Sequence, residues 1–309
     1  MAKRDFISVH DLTAEEFSGL LKLAAHVKAD PGAYRSALNG KTLGMIFQKS
    51  STRTRVSFEV GTLQLGGHAL FLSSRDIQLG RGETISDTAQ VLSRYLDGIM
   101  ARTFAHQDVV DLARFGDVPV INGLTDDLHP CQVMADYLTA TEEFGDLAGR
   151  KIAYVGDGNN MAHSLMFGAA KAGMNIAIAS PAGFEVQDRF VELARADAAA
   201  AGTTVETGND PATAVAGASV VCTDVWASMG QEEEAESRLA AFDGFSITAA
   251  LMATAAPDAI FLHCLPAHRG EEVSAEVADG PHSRIFDEAE NRLHAQKALM
   301  LWLMGDVEL

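Results

Sequence analysis

The sequence predicts an α/β fold of two domains, each with a parallel sheet flanked by helices. Short apolar runs alternate with stretches of helical apolar spacing along the whole chain. With 309 residues, the chain is long enough for two domains of ordinary size. A charged, glycine-containing stretch at 142–150 separates the apolar runs into two groups of similar size.

Each predicted strand is a short run that is apolar throughout. Such runs, separated by helices, are typical of parallel sheets covered on both faces. Helical spacing is clear at 85–96 and 184–200, and the last helix is predicted at about 283–304. The predicted strands are 43–47, 69–72, 98–101, 118–122, 151–155, 175–179, 204–207, 219–223 and 259–263.

These patterns predict a first domain at 1–140 and a second domain at 146–285. The helix that begins near His129 is expected to link them. The last segment, 286–309, is predicted to be a helix that packs back on the first domain. We therefore expect two domains connected by helices.

Composition excludes several classes of protein. Apolar residues make up 47% and charged residues 21% of the chain, so it is neither disordered nor collagen-like. The apolar run at 298–304 is far shorter than the roughly 20 residues needed to cross a bilayer, so no membrane partner is expected. The formal net charge of −18 argues against a nucleic-acid partner, which would need a basic face. Anionic ligands must then be bound by local clusters of arginine.

The N-terminus and the cysteines predict a cytoplasmic protein. The first residues are charged and lead into a helical pattern without a secretory apolar segment. The chain has three cysteines, Cys131, Cys222 and Cys264, which we expect to be reduced. No pair of histidines or cysteines has the spacing of zinc ligands, so no metal is expected.

A phosphate site is predicted where the first strand gives way to a helix. Ser50, Ser51 and Thr52 can cap that helix, whose N-terminus carries free N–H groups and a partial positive charge. Arg53 and Arg55 add two guanidinium groups there, and guanidinium groups bind phosphate through paired hydrogen bonds. An ordinary solvated helix cap is the alternative interpretation.

Three further motifs also follow predicted strands. They begin at His129 (His-Pro-Cys-Gln), Asp224 (Asp-Val-Trp-Ala-Ser-Met-Gly) and His263 (His-Cys-Leu-Pro). In open α/β sheets, ligands bind outside the carboxyl ends of the strands. We therefore expect the four motifs to meet in one cleft. Arg102, at the end of another buried strand, must be paired with an anion, either of the protein or of a ligand.

Taken in this order, the four motifs resemble those of the carbamoyltransferases, and specifically the ornithine-using group. The resemblance runs from about Asp11 to the last helix. It implies transfer of the carbamoyl group of carbamoyl phosphate to the side-chain amine of ornithine, which gives citrulline and phosphate. It also implies no cofactor, no metal, and a homotrimer in which the loop carrying Gln78 enters the active site of a neighbouring subunit.

The resemblance assigns a role to particular residues of this chain. Implied ligands of carbamoyl phosphate are Ser51, Thr52, Arg53, Thr54, Gln78, Arg102, His129, Gln132, Cys264, Leu265 and Arg292. Implied ligands of ornithine are Asn160, Asp224, Ser228 and Met229, with Asn159 as the nearest competitor of Asn160. Arg102, His129, Asp224 and Cys264 are the implied catalytic residues. Cys131 is expected to serve packing.

Several alternatives remain at this stage. The turn at Gly156–Met161 could bind a dinucleotide, but it lacks the third glycine and the acidic residue at the end of the next strand. Cys264 could act as a covalent nucleophile, although His263 should point to the opposite face of the strand. The acceptor could be aspartate, putrescine or an N-acylated ornithine, and the chain could also be an inactive regulatory homologue.

Overall fold

The computed structural model describes residues 3–75, 77, 82–227 and 235–309. Gln78, Ser228 and Met229, which the sequence assigns to the site, lie outside the described residues. The chain divides into two compact units. The first unit comprises Met1–Leu138 and Glu290–Leu309, and the second comprises Thr139–Ala289.

The first unit contains a four-stranded parallel sheet in the order β2-β1-β3-β4. Its strands are β1 (Thr42–Phe47), β2 (His68–Ser73), β3 (Gly98–Arg102) and β4 (Val120–Leu124). Its helices are α1 (Ala14–Ala29), α2 (Thr52–Gln64), α3 (Ile85–Leu92), α4 (His106–Phe115) and the first part of α5 (Pro130–Phe144), preceded by a 3-10 turn at Val9–Asp11. The last helix of the chain, α12 (Ile285–Met304), contributes its second part.

The strands of this sheet differ in burial. Every residue of β3 and β4 is buried, as expected of strands covered on both faces. The edge strand β2 is mostly half-buried or exposed, and its Leu70 and Phe71 are 41% and 38% exposed. These two apolar side chains of β2 are therefore not buried in the core of the first unit.

The C-terminal part of α12 packs against α2 and the start of β3, within the first unit. Gly61 in α2 allows this approach, because a Cβ there would lie 3.1 Å from Met300 Cε and 3.2 Å from Lys297 Cγ. One turn along α12, Met304 packs against Gly98 at the start of β3. This packing fixes the direction of α12 and so the position of Arg292 on it.

The second unit contains a five-stranded parallel sheet in the order β7-β6-β5-β8-β9. Its strands are β5 (Lys151–Val155), β6 (Asn175–Ala179), β7 (Val205–Gly208), β8 (Val220–Thr223) and β9 (Ile260–His263). Its helices include α6 (Asn160–Lys171), α7 (Asp188–Ala201), α8 (Pro211–Val215), α9 (Ala235–Ala241), α10 (Ala249–Met252) and α11 (Ala275–Ala278). The core includes the rings of Trp226, Phe242 and Phe261.

The predicted α/β fold with two parallel sheets is confirmed, and strand bounds differ from the predictions by at most two residues. The helix predicted from residue 184 begins only at Asp188, because Phe184 lies in a turn in which its N–H donates to the Pro181 carbonyl. Among the residues that the structure describes, no helix combines the length and the apolar character that a bilayer crossing requires.

Candidate active site

The N-terminus of α2 carries the first group of predicted site residues. Ser51 caps the helix, since its hydroxyl accepts a hydrogen bond of 3.2 Å from the Thr54 N–H. Ser51 Oγ also donates to Thr54 Oγ1 at 3.1 Å, and the Thr54 side chain is buried. Arg53 is half-buried on the first turn, where the backbone N–H groups and the helix dipole favour an anion.

Arg292 joins this group from the last helix. Its guanidinium is buried and donates to Gln132 Oε1 at 2.6 Å and to Thr54 Oγ1 at 3.1 Å. Gln132 in turn donates to Asp136 at 2.8 Å on α5. Arg292 is therefore buried in the first unit beside the cap of α2, which fits its predicted role. With its amide in the orientation that satisfies its neighbours, Gln296 also accepts from Arg292 at 3.1 and 3.3 Å.

His129 lies at the centre of the positive charge of the first unit. Burial lowers its pKa well below the ordinary value of 6.5, and the nearby Arg292, Arg102, Arg53 and Lys49 lower it further. The imidazole is therefore neutral at physiological pH. A neutral imidazole can donate one hydrogen bond to an oxygen atom and accept another, and it adds no charge to the site.

The two arginines that follow the helix cap, Arg53 and Arg55, have different surroundings in the structure. Arg55 is exposed, lies 3.8 Å from the centre of the Phe71 ring, and contacts Glu59 at 3.4 Å. Arg53, by contrast, acts electrostatically on His129. Of the two arginines, Arg53 therefore remains the predicted phosphate ligand, while Arg55 contacts Phe71 and Glu59. Residues two apart on a helix do not share a face, which is the physical reason.

Lys49 was missed on sequence grounds. It is buried, pairs with Asp126, and lies 4.6 Å from the centre of the Phe104 ring. Its position just before the cap motif was the available signal. Cys131, in contrast, fits the expected packing role: its thiol donates to the Asn122 carbonyl, and burial raises its pKa to about 12.

Asp224 is the centre of the second group of site residues. It directly follows β8 and is buried. One carboxylate oxygen accepts from the Cys264 thiol at 3.0 Å and from the Val225 N–H at 2.8 Å. The other accepts from the Asn159 side-chain amide at 3.0 Å. The structure thus brings Asp224 and Cys264 together although they are 40 positions apart in the sequence.

Asn159 and Asn160 occupy different positions at the start of α6. Asn159 is the N-cap, and its side-chain oxygen accepts from the Met161 N–H at 2.9 Å while its amide donates to Asp224. Asn160 is the first residue of the helix and is half-buried. In the same turn, a Cβ at Gly158 would lie 2.3 Å from the Val186 backbone nitrogen. Chain packing therefore explains this glycine without a dinucleotide.

His263 does not contact the Cys264 thiol as a base would. Its Nε2 lies 3.0 Å from Glu272 Oε1, and its Nδ1 accepts from the Leu265 N–H at 2.9 Å. Ligand atoms of Asp224, His263 and Cys264 lie within 4.8 Å of one another, a grouping that the sequence spacing did not reveal. Both ring nitrogens of His263 are already hydrogen-bonded to protein atoms, so this grouping does not call for a metal.

An apolar cavity of the second unit contains none of the predicted site residues. Its volume is about 490 Å³. Its lining is formed by Ala249, Met252, Ala253, Ala255, Ala256, Pro257, Ala259, Glu276, Val277, Gly280, Pro281 and His282. The site is therefore defined by polar side chains at strand ends and not by this cavity.

Family models match two successive segments of the chain. Residues 4–142 match the carbamoyl-P binding domain of aspartate/ornithine carbamoyltransferases, and residues 148–303 match their Asp/Orn binding domain. The chain therefore belongs to the aspartate/ornithine carbamoyltransferase family, and the resemblance seen in the motifs is confirmed.

Individual relatives are named more narrowly. The chain is 62% identical over 304 residues to an ornithine carbamoyltransferase of Symbiobacterium thermophilum, covering 98% of each chain. It is 53% identical to an anabolic ornithine carbamoyltransferase of Pyrococcus furiosus, covering 100% of this chain and 98% of the relative. The solved structure of an ornithine carbamoyltransferase from Pyrococcus furiosus superposes with a TM-score of 0.95 at 53% identity, covering 99% of both chains.

Proposed function

We infer that the chain catalyses the transfer of the carbamoyl group from carbamoyl phosphate to the side-chain amine of L-ornithine, which yields L-citrulline and phosphate. One observation carries this assignment most directly: Arg53, Arg102 and Arg292 surround a neutral, buried His129 in the first unit, most of which matches the carbamoyl-P binding domain. Relatives covered almost completely by the chain are ornithine carbamoyltransferases, which supports ornithine as the acceptor.

The first unit supplies the residues that bind carbamoyl phosphate. Ser51, Thr52, Arg53 and Thr54 hold the phosphate at the N-terminus of α2, together with Arg102 and Arg292. Thr54, Arg102 and His129 stabilise the negative charge that develops on the carbonyl oxygen. Hydrogen-bond donors that are already oriented before the reaction lower the activation barrier strongly, because they stabilise this charge in the transition state. Gln132 and the backbone of Cys264 and Leu265 orient the carbamoyl amide, and Gln78 is the expected contribution of a neighbouring subunit.

The second unit supplies the residues that bind ornithine. Asp224 and Cys264 orient the attacking amine, and Asn160, Ser228 and Met229 contact the α-amino acid end. Asn159 holds the Asp224 carboxylate and caps α6, which leaves the contact with ornithine to Asn160. The thiol of Cys264 donates to Asp224, so this side chain is suited to positioning and proton sharing rather than to covalent attack.

The amine of ornithine attacks carbamoyl phosphate directly, without a covalent intermediate on the enzyme. The lone pair of the neutral side-chain amine of ornithine forms a bond to the carbamoyl carbon and gives a tetrahedral intermediate. The bond to the phosphate oxygen then breaks, and the amine loses its proton. An alkylamine with a pKa of about 10.4 is almost wholly protonated at pH 7, so the site must select or generate the neutral form. A carboxylate beside the amine can accept that proton.

An acceptor panel tests this function. Purified protein with carbamoyl phosphate should carbamoylate ornithine much faster than putrescine, which lacks the α-carboxylate, and than aspartate, which lacks a side-chain amine. N-acetylornithine should also be poor. Product formation is measured by a colorimetric ureido assay and mass spectrometry. If putrescine or aspartate is preferred, the acceptor roles of Asp224, Ser228 and Met229 are wrong.

A homotrimer with shared active sites is the second part of the proposal. The exposed apolar residues of α2 and β2 support it, because Val56, Leu63, Leu70 and Phe71 are between 38% and 73% exposed. A neighbouring subunit would cover this face. A mixture of inactive Gln78→Ala and Arg53→Ala proteins should regain activity after subunit exchange, because some sites would then carry neither change. No recovered activity after exchange verified by native mass spectrometry would exclude sharing through Gln78.

We place the reaction in arginine biosynthesis. The Pyrococcus furiosus relative is named anabolic, which supports this direction. A cytoplasmic location remains a prediction. None of Cys131, Cys222 and Cys264 forms a disulfide in the structure, as expected of a protein in a reducing compartment.

A further inference from the structure

The loop after β9 contains one residue in a conformation that L-amino acids rarely adopt. Leu265 has a φ of 59°, in the left-handed region, where only a few per cent of non-glycine residues are found. A leucine remains there only where its surroundings hold it. The same residue is assigned to the carbamoyl amide through its backbone, so whatever holds Leu265 also sets the position of that contact.

His263 provides this hold. Its Nδ1 accepts the Leu265 N–H at 2.9 Å, so that nitrogen carries no proton. The ring proton then lies on Nε2, which donates to Glu272 Oε1 at 3.0 Å. Both side chains have no exposed surface. The carboxylate of Glu272 therefore fixes the tautomer and the ring orientation in which His263 can accept from Leu265.

The pair is itself fixed by the core of the second unit. The backbone N–H of His263 donates to Glu288 at 2.7 Å. Glu272 accepts a second hydrogen bond, of 2.6 Å, from the His268 N–H, and its carbonyl accepts from the Ile247 N–H at 2.8 Å. A change in the position of Leu265 would thus require a change in a buried network.

We propose that His263 and Glu272 are positioning residues, which hold the Cys264–Leu265 backbone in the geometry that orients the carbamoyl amide. The proposal rests on the proposed function of that backbone. Neither side chain touches a reacting atom. Small displacements of groups that orient a substrate reduce turnover strongly, so the pair affects catalysis through Leu265.

Two substitutions of His263 separate positioning from stability. In His263→Gln, the side-chain amide can reach Glu272 as Nε2 did, but nothing replaces Nδ1 as acceptor for Leu265. In His263→Asn, the side-chain oxygen replaces Nδ1, but the donor to Glu272 is lost. We expect the Gln variant to unfold within about 2 °C of the wild type and to lose turnover by about tenfold or more. The Asn variant should unfold at least about 4 °C lower and keep turnover within about threefold.

Turnover is measured per folded enzyme, well below both unfolding midpoints, with each substrate varied. For the Gln variant, kcat should fall and the KM for carbamoyl phosphate should rise, while the KM for ornithine changes by less than about twofold. His282→Gln serves as the control, since His282 is exposed in the same unit and its side chain contacts the Ala259 carbonyl at 3.0 Å. It should match the wild type.

Wild-type turnover of the Gln variant would overturn the proposal, and so would equal losses in the Gln and Asn variants. If either His263 variant does not fold, the same comparison is made with Glu272→Gln and Glu272→Met. The Gln substitution keeps an acceptor for His263 and should keep turnover within about threefold, whereas Met should lower it by about tenfold. Equal turnover of these two would also overturn the proposal. A wild-type protein that forms no citrulline would instead refute the proposed function itself.

Discussion

The two units hold their site residues with opposite chemistry. In the first unit, three arginines and a lysine surround a histidine that burial and positive charge keep neutral. In the second unit, a buried carboxylate accepts hydrogen bonds from a thiol, an amide and a backbone N–H. The first arrangement suits a phosphate anion, and the second suits an ammonium or amine.

This difference shows how a strongly acidic chain can bind an anion. The net charge of −18 is unfavourable for carbamoyl phosphate at long range. Buried guanidinium groups at short distance are screened little by solvent, so they can dominate locally. In the second unit the overall acidity and the local carboxylate act in the same direction on a cationic acceptor. Substitutions in each unit should therefore affect different substrates.

Asp224→Asn should give the largest effect. The substitution keeps the shape but removes the charge and places a donor where Cys264, Val225 and Asn159 now donate. We expect kcat with ornithine to fall on the order of 1000-fold, and the affinity for carbamoyl phosphate to change by less than about threefold. Steady-state kinetics and calorimetric titration measure the two quantities.

The control for this substitution is Asp258→Asn, which changes an exposed carboxylate of the same unit that lies 3.6 Å from Arg150. Its kinetics should match the wild type. A comparable loss of carbamoyl phosphate affinity in Asp224→Asn would contradict the division of the two substrates between the units.

Arg53→Ala should give the next largest effect, and it should fall on carbamoyl phosphate. Removal of a charged donor at a helix N-terminus should lower kcat/KM for this substrate on the order of 100-fold. Arg55→Ala is a matched control on the same helix, because Arg55 contacts Phe71 and Glu59 instead. Near-full activity of Arg53→Ala, or equal losses in both variants, would refute the phosphate assignment.

The sequence allowed the fold and the positions of the motifs to be predicted, but not the contacts between motifs. Buried parallel strands are apolar runs, so their ends, and the polar residues after them, could be located. The contact of Arg292 with Thr54 joins residues 238 positions apart, and no local pattern carries that information. The resemblance, rather than the residues themselves, indicated Arg292.

Other features were missed for equally local reasons. Arg53 and Arg55 look equivalent in sequence, and only the helix geometry and the ring of Phe71 separate them. The role of His263 depends on Glu272, which lies nine positions later in the sequence. From the sequence alone, the carboxylate of Glu272 would be taken for a surface charge. Buried polar pairs of this kind appear only when the fold brings their elements together.

Arg292→Lys should give a smaller loss that separates charge from geometry. Lysine keeps the positive charge but cannot donate at once to Thr54 and Gln132 in the way the planar guanidinium does. We expect the KM for carbamoyl phosphate to rise about tenfold, with the KM for ornithine little changed. An unchanged KM for carbamoyl phosphate would show that only the charge of Arg292 matters.

The smallest predicted effect concerns stability and tests the positive character of the first unit without substrates. The pKa of His129 lies well below 6.5 in the folded protein, because burial and then the cations around it disfavour the imidazolium. Below pH 6.5 the unfolded chain binds a proton at this residue and the native protein does not. The contribution of His129 to the free energy of unfolding is therefore fully present above pH 6.5 and is lost as the pH falls below 6.5.

Between pH 7.5 and 5.5, this residue alone should lower the free energy of unfolding by up to about 1.4 kcal/mol, a dependence that His129→Gln should remove. Urea unfolding at both pH values measures it. The chain has two tryptophans, Trp226 in the second unit and Trp302 in the first. A Trp226→Phe background therefore lets Trp302 fluorescence report the unit that contains His129. An equal pH dependence with and without His129 would show that its environment does not resist protonation, and the contrast between the two units would then lose its electrostatic basis.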